Sequence, residues 1–265
     1  NSIKKIKTFN GKFTVYLHEK SKKLIKIQKN NLNDFNNIIW VKNINKINQD
    51  PTIIIANEFF DAFPIKQFFK EKNSWHEQCV TFDNNYKKNI TYYKNKINNN
   101  SLKKYSNFYN IKKSKILEYP INIEAYINSI SKIIKKNNGI FLMFDYGYSS
   151  VLGKNTIKAI RKHKTVDLLK EYTDCDITFD INFNILKNIF KRNNVQNIGI
   201  VSQNFFLQKL GIMERADQII KKQDALSSKN LILSINKLIN PKEMGNAFHA
   251  LAFSNKNCKF NLGFI

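Results

Sequence analysis

Asn57, Glu58 and Asp61 follow directly on the apolar run Ile53-Ile54-Ile55-Ala56. In an open parallel sheet, ligands bind in the crevice at the carboxyl ends of the strands, so polar residues placed where a buried run stops can face a substrate. Asp145 ends a second such run, Ile140 to Phe144, and Glu19 ends a third, Val15 to His18. Carboxylates at these places suit two tasks. One at the end of a nucleotide-type strand can accept hydrogen bonds from both ribose hydroxyls. Several together can grip a planar cation bidentately and orient it. A simpler reading stands beside each: Asn57 or Asp61 as a cap, Glu58 as a solvated helix start, Asp145 as a contact to the Tyr146-Gly147 turn, and Glu19 as a helix-dipole partner. His163 alone reads as a structural hydrogen-bonder; within reach of the acids it could relay a proton.

Positioning these residues requires alternating strands and helices, the pattern of a sheet covered on both faces. Strands are predicted at 13–18, 38–42, 52–56, 139–146 and 198–203, with helices at 21–29, 123–136, 182–193 and 215–220. Asn137-Asn138-Gly139 supplies a stop for the helix at 123–136. A hairpin is predicted after Pro64, with 65–70 and 76–82 around Lys72-Asn73-Ser74. The Asn/Lys-rich stretch 84–100 reads as a long loop or frayed hairpin. Segments 247–253 and 258–264 are expected to pair and close the sheet. Glu58 and Asp61, three apart, are expected on one side of a helical turn. The domain reading is one domain over 1–265 with an insertion at about 65–118, since no repeat or linker interrupts the chain.

Composition narrows the classes. An apolar fraction of 42% in 265 residues is that of a globular chain able to bury a sizeable core. No apolar run approaches the roughly 20 residues that span a bilayer. Cys79, Cys175 and Cys258 lie far apart and match no metal or disulfide spacing, so no structural metal is expected. The net charge of +24 suggests phosphate binding, but Arg161, Arg192 and Arg215 are the only arginines. Nucleic-acid readers favour arginine for bidentate contacts, whereas Lys, Asn and Ile enriched together is what an AT-rich coding sequence imposes. A nucleic-acid partner is therefore not expected.

The motif Ala56-Asn57-Glu58-Phe59-Phe60-Asp61-Ala62-Phe63-Pro64, followed by Gln67-Phe68, closely resembles the MidA family. That family includes the mitochondrial complex I assembly factor 7 proteins, S-adenosylmethionine-dependent protein arginine methyltransferases. Further matches follow in order: Val15 to Ser21, the Asp145-Tyr146-Gly147 strand, His163, Asp176-Ile177-Thr178 with Ile181 to Phe183, Gln203 to Arg215, and Met244-Gly245 with Phe248. The resemblance implies a class I methyltransferase sheet, Rossmann-like, with S-adenosyl-L-methionine as cofactor and a protein arginine as acceptor, in mitochondrial members on a respiratory complex I subunit. It implies Glu19 on the ribose; of Lys42 and Asn43 after the next strand, Asn43 is the choice beside the adenine, and by their own chemistry Glu58, Asp61 and Asp145 could form an acidic mouth with Asn57 supplying an amide to cofactor and acceptor and His163 relaying a proton. The family's glycine-rich loop should precede the Glu19 strand and is not found, so the chain is expected to lack the first strand, the loop and the N-terminal helical region. A bacterial cytoplasmic location is expected, with the mitochondrial matrix as the alternative. Two readings compete: a chain that has lost the loop and serves only in binding or assembly, and a basic nucleic-acid-associated protein, which a steep loss of binding with rising salt would single out.

Overall fold

The structure, a computed structural model, describes residues 13–47, 49–82, 90–105, 108–162, 164–172 and 174–265; His163 lies outside them. Two compact units divide after Pro51. In the first, β1 (Val15–His18), α1 (Lys22–Asn31) and β2 (Ile38–Val41) form a strand–helix–strand unit. β1 and β2 pair in parallel, from Val15 opposite Ile38 to His18 opposite Val41. Ser21 starts α1 by accepting from Leu24 N at 3.3 Å. Trp40 Nε1 donates to Gln28 Oε1 at 2.9 Å and so ties the helix to β2.

The second unit runs β3 (Ile53–Asn57), β4 (Ile65–Glu71), β5 (Ser74–Phe82), β6 (Ile90–Ile97), α2 (Asn99–Leu102), β7 (Ile116–Pro120), α3 (Ile123–Lys136) and β8 (Ile140–Tyr148). There follow β9 (Lys158–Arg161), β10 (Lys164–Val166), α4 (Leu168–Glu171), β11 (Asp176–Thr178), β12 (Ile181–Asn182), α5 (Phe183–Arg192) and β13 (Gln196–Ser202). The chain then gives α6 (Gln203–Lys209), α7 (Ile212–Ile220), α8 (Ala225–Ile239), α9 (Met244–Ala247) and β14 (Phe248–Ser254).

β8 is the centre of the main sheet. On one side it pairs antiparallel with β14, which in turn pairs antiparallel with β13. Its other edge is shared by two parallel strands: β3 lies against Ile140 to Phe144, and β12 against Gly147 and Tyr148. Among the described residues, this edge of β8 is therefore free of strand pairing only at Asp145 and Tyr146. Separate sheets are built by β6-β5-β4-β7 and by β10-β9-β11. The first of these is the expected hairpin extended at both ends, with Lys72 at the turn in a left-handed conformation, φ 53°.

Both faces of the main sheet are covered. On one, Phe190 of α5 stacks on Phe253 with centroids 3.9 Å apart and meets Phe141 at 5.6 Å. On the other, Phe206 and Phe264 close over Ala250 and Ala252, with Leu142 and Phe144 packed against them. Truncating Phe190, which is fully buried and bridges β8 and β14, should cost about 3–5 kcal/mol by urea denaturation. A loss under about 1 kcal/mol would show that the two strands hold without it.

Three expectations need correction. Cys258 to Phe264 forms no strand; Gly263 takes φ 84° and turns the Phe264 ring onto Phe206, centroids 5.2 Å apart. β14 instead lies between β8 and β13. The run Ile53 to Ile55 reads as buried on both faces, yet Ile53 and Ile55 are 65% and 68% exposed and alternate with half-buried Ile54 and Ala56, so one face of β3 is open. The helix expected from 215 begins at Ile212 and is followed by α8, which periodicity does not predict.

Candidate functional site

The Asn57–Asp61 segment does not continue as a helix. Phe63 N donates to Phe60 O at 3.2 Å in a single turn, and Pro64, whose ring carries no N–H, leads straight into β4. The turn is anchored by aromatic packing: Phe59 meets Phe60, Phe63 and Tyr126 at 5.1, 5.4 and 5.8 Å, and Phe60 is wholly buried. This anchoring leaves Asn57 and Glu58 exposed and Asp61 buried.

Glu58 prolongs β3 by one bond, its N–H donating to Phe144 O at 3.0 Å. It does so at φ 45°, in the left-handed region that side-chain-bearing residues avoid. A residue held there costs on the order of 1–3 kcal/mol and persists only where the surrounding structure fixes it. Asn57 Nδ2 donates to Glu58 Oε1 at 3.2 Å. Together they form a polar rim at the carboxyl end of β3.

Asp61 and Asp145 lie below that rim. Asp145 is completely buried. Its Oδ1 accepts from Tyr146 N at 3.0 Å and its Oδ2 from Phe60 N at 3.3 Å, so the carboxyl clamps the turn to the end of β8. Burial pushes its pKa up to about 8, helped by the charges of Asp61 and then Glu58 and opposed by the two backbone N–H groups. Asp61 Oδ2 accepts from Tyr146 OH at 2.8 Å and from Thr178 Oγ1 at 2.9 Å. Burial also raises the Tyr146 phenol well above its usual range.

Thr178 reaches Asp61 because β11 pairs antiparallel with β9, and Phe179 N then donates to Asp61 O at 3.3 Å. Asp176 and Ile177 of the same motif are exposed and take no part. The segment is held from behind: Asp180 N donates to Thr156 Oγ1 at 3.0 Å, and Thr156 Oγ1 donates to Glu118 Oε2 at 2.5 Å. Burial raises the Glu118 carboxyl despite these bonds and the one from Gln67.

Tyr146 and Thr178 carry no signal of this role in the sequence beyond membership of their motifs. His249 carries none at all. It is the cross-strand partner of Asp145, its ring lies 5.1 Å from Phe183, and burial lowers its pKa.

In the first unit, Glu19 stands at the carboxyl end of parallel β1 as expected. Its Oε1 accepts from Lys20 N at 2.7 Å and Ser21 N at 2.8 Å, which orients the carboxylate. Asn43 follows β2, where its Oδ1 accepts from Asn45 N at 2.9 Å. A half-buried carboxylate and an exposed amide at the ends of adjacent parallel strands form a donor and acceptor set that fits a nucleoside.

Each unit carries acids and amides at the carboxyl ends of parallel strands, the place where α/β folds bind their ligands. Residues 1–201 match the family model described as "Putative S-adenosyl-L-methionine-dependent methyltransferase", and the chain belongs to that family. Its curated relatives include the mitochondrial protein arginine methyltransferase NDUFAF7 homolog of Caenorhabditis elegans, 31% identical over 239 residues, 89% of this chain and 55% of the relative. The NDUFAF7 protein of Danio rerio is 25% identical over 218 residues, 82% of this chain and 51% of the relative. The chain thus spans about half the length of the curated relatives it matches. Two crystal structures from Burkholderia thailandensis share the fold. One has a TM-score of 0.79 at 18% identity, over 95% of this chain and 68% of that one. The other, bound to S-adenosyl-homocysteine, has a TM-score of 0.77 at 17% identity, over 95% and 66%.

Proposed function

We propose that the protein acts in S-adenosyl-L-methionine-dependent methylation of an arginine on a protein substrate. The observation that carries this reading is the acidic constellation of Glu58, Asp61 and Asp145 where the β8 edge passes from β3 to β12, with Glu58 held in a left-handed conformation. The whole chain is read as one methyltransferase domain with an insertion at about 65–118. Glu19 would hold the cofactor's ribose and Asn43 its adenine, while Asn57 would orient the cofactor from the end of β3. The bound cofactor supplies an electrophilic methyl group on sulfur.

The residues' own work is alignment. A guanidinium is a poor nucleophile because its charge is delocalised; carboxylates gripping two of its nitrogens localise charge away from the third and fix its approach. Glu58 and Asp61 are assigned that grip, Asp145 keeps the turn that carries Asp61 fixed to the sheet, and His163 is assigned the departing proton. The relatives' names support a protein acceptor; a respiratory complex I subunit in a mitochondrial matrix, or another protein in a bacterial cytoplasm, are the acceptors and places to compare.

The test uses the complete natural chain. S-adenosylhomocysteine should bind calorimetrically, and Glu19→Ala should abolish the signal. Mass spectrometry should find methylarginine on a partner protein, with Glu58→Gln lowering the rate about a hundredfold or more, as loss of a charged group acting on the reacting centre does. Methylation at another residue type, or an unaltered rate in Glu58→Gln, would overturn the arginine reading.

A further inference from the structure

The two carboxylate oxygens of Asp61 have unlike surroundings. Oδ2 accepts from Tyr146 OH and Thr178 Oγ1, which together commit both hydroxyl hydrogens to this one oxygen. Oδ1 is buried with no hydrogen-bond partner among the described residues, on a residue only 7% exposed. An acceptor left so carries a desolvation penalty that no bond offsets. The hydroxyls come from separate elements, Tyr146 from β8 and Thr178 from β11 in a different sheet, and the β11 segment is fastened to Asp61 by main chain as well. Two hydroxyls converging from different sheets fix the rotation of one carboxylate and saturate one oxygen only.

We propose that Tyr146 and Thr178 are positioning residues for the methyl acceptor: by saturating Oδ2 they turn Oδ1 toward an N–H of the substrate's planar cation. The inference rests on the reading of an arginine acceptor. Oδ1 is buried, so an acceptor that bonds it meets a carboxylate oxygen already shielded from water. With either hydroxyl missing, the carboxylate can rotate and its grip on the acceptor is divided between orientations.

The variants are Thr178→Val, which keeps shape and removes the hydroxyl, Thr178→Ser, which restores it, and Tyr146→Phe. On an arginine-containing peptide with the complete natural chain, Thr178→Val and Tyr146→Phe should lower kcat/KM about tenfold. Thr178→Ser should stay near the natural protein, and S-adenosylhomocysteine affinity should be unchanged in all three. Equal impairment of Thr178→Ser and Thr178→Val, or no impairment in Thr178→Val, would overturn the proposal. A second readout is independent of turnover: the carbon-13 shift of the Asp61 carboxyl, titrated with methylguanidinium. A shift change in the natural protein that disappears in Thr178→Val supports the proposal even if no arginine peptide is methylated, in which case the functional reading alone fails. No change in the natural protein overturns the proposal whatever the assay shows.

Discussion

Gly147→Ala is expected to destabilise the protein by about 3 kcal/mol or more, with the Asp61 site lost alongside. A Cβ at position 147 would lie 2.0 Å from Ile181 O and 2.8 Å from Ile181 N and C. These are backbone atoms of β12, which cannot rotate aside as a side chain would. β12 must leave β8, and with it goes the register that pairs Ile181 with Gly147 and Asn182 with Tyr148. Asn182 also starts α5 by accepting from Asn184 N at 3.1 Å, so the helix that carries Phe190 onto the sheet loses its anchored start. Just before β12, Phe179 N and Thr178 Oγ1 hold Asp61, so a displaced β12 pulls on the site directly. Urea denaturation with the Tyr146 environment followed by near-ultraviolet dichroism would measure both effects. Stability within about 0.5 kcal/mol of the natural protein would mean that β12 can shift at little cost.

What is legible in the sequence follows from the range of the interactions involved. The β3 end is legible because an apolar run stopped by Asn57-Glu58 is a local pattern, and α3 reads with its observed bounds, Ile123–Lys136, because its periodicity and its stop at Asn137 are local too. The clamp of Asp145 on Tyr146 N matches the simpler reading of that residue; its second bond, to Phe60 N from 85 residues away, has no local signature. Thr178 meets Asp61 across 117 residues, a contact set by the β9–β11 pairing that no spacing encodes. The exposure of Ile53 and Ile55 is hidden for the same reason, since an apolar strand reads alike whether or not another element covers each of its faces. Alternation misleads near the end of the chain: Cys258 to Phe264 alternates like a strand, but Gly263 turns the segment into a plug over Phe206.

The second large effect is a loss of stability as pH rises toward 8, carried by Asp145. Its pKa is pushed up to about 8 in the folded protein, first by burial and then by the charge of Asp61. An unfolded aspartate titrates near about 4. Between those two values the folded protein holds a proton that the unfolded chain has released, so stability must fall as pH rises through this window. The contribution is fully present below about pH 4 and gone above about pH 8; integrated over the window it amounts to at most about 5 kcal/mol. Urea denaturation at intervals from about pH 5 to about pH 9 should therefore show unfolding free energy declining and then levelling near about pH 8. In Asp145→Asn the decline should flatten, because the variant has no proton to lose at that position, even if its stability is lower throughout. Equal slopes in the two proteins would remove Asp145 as the source. The direction has a consequence for the site, because a carboxyl protonated at neutral pH brings no charge to the acceptor. Asp145 then serves by clamping Phe60 and Tyr146, and the grip on a cationic acceptor falls to Glu58 at the rim and Asp61 beneath it.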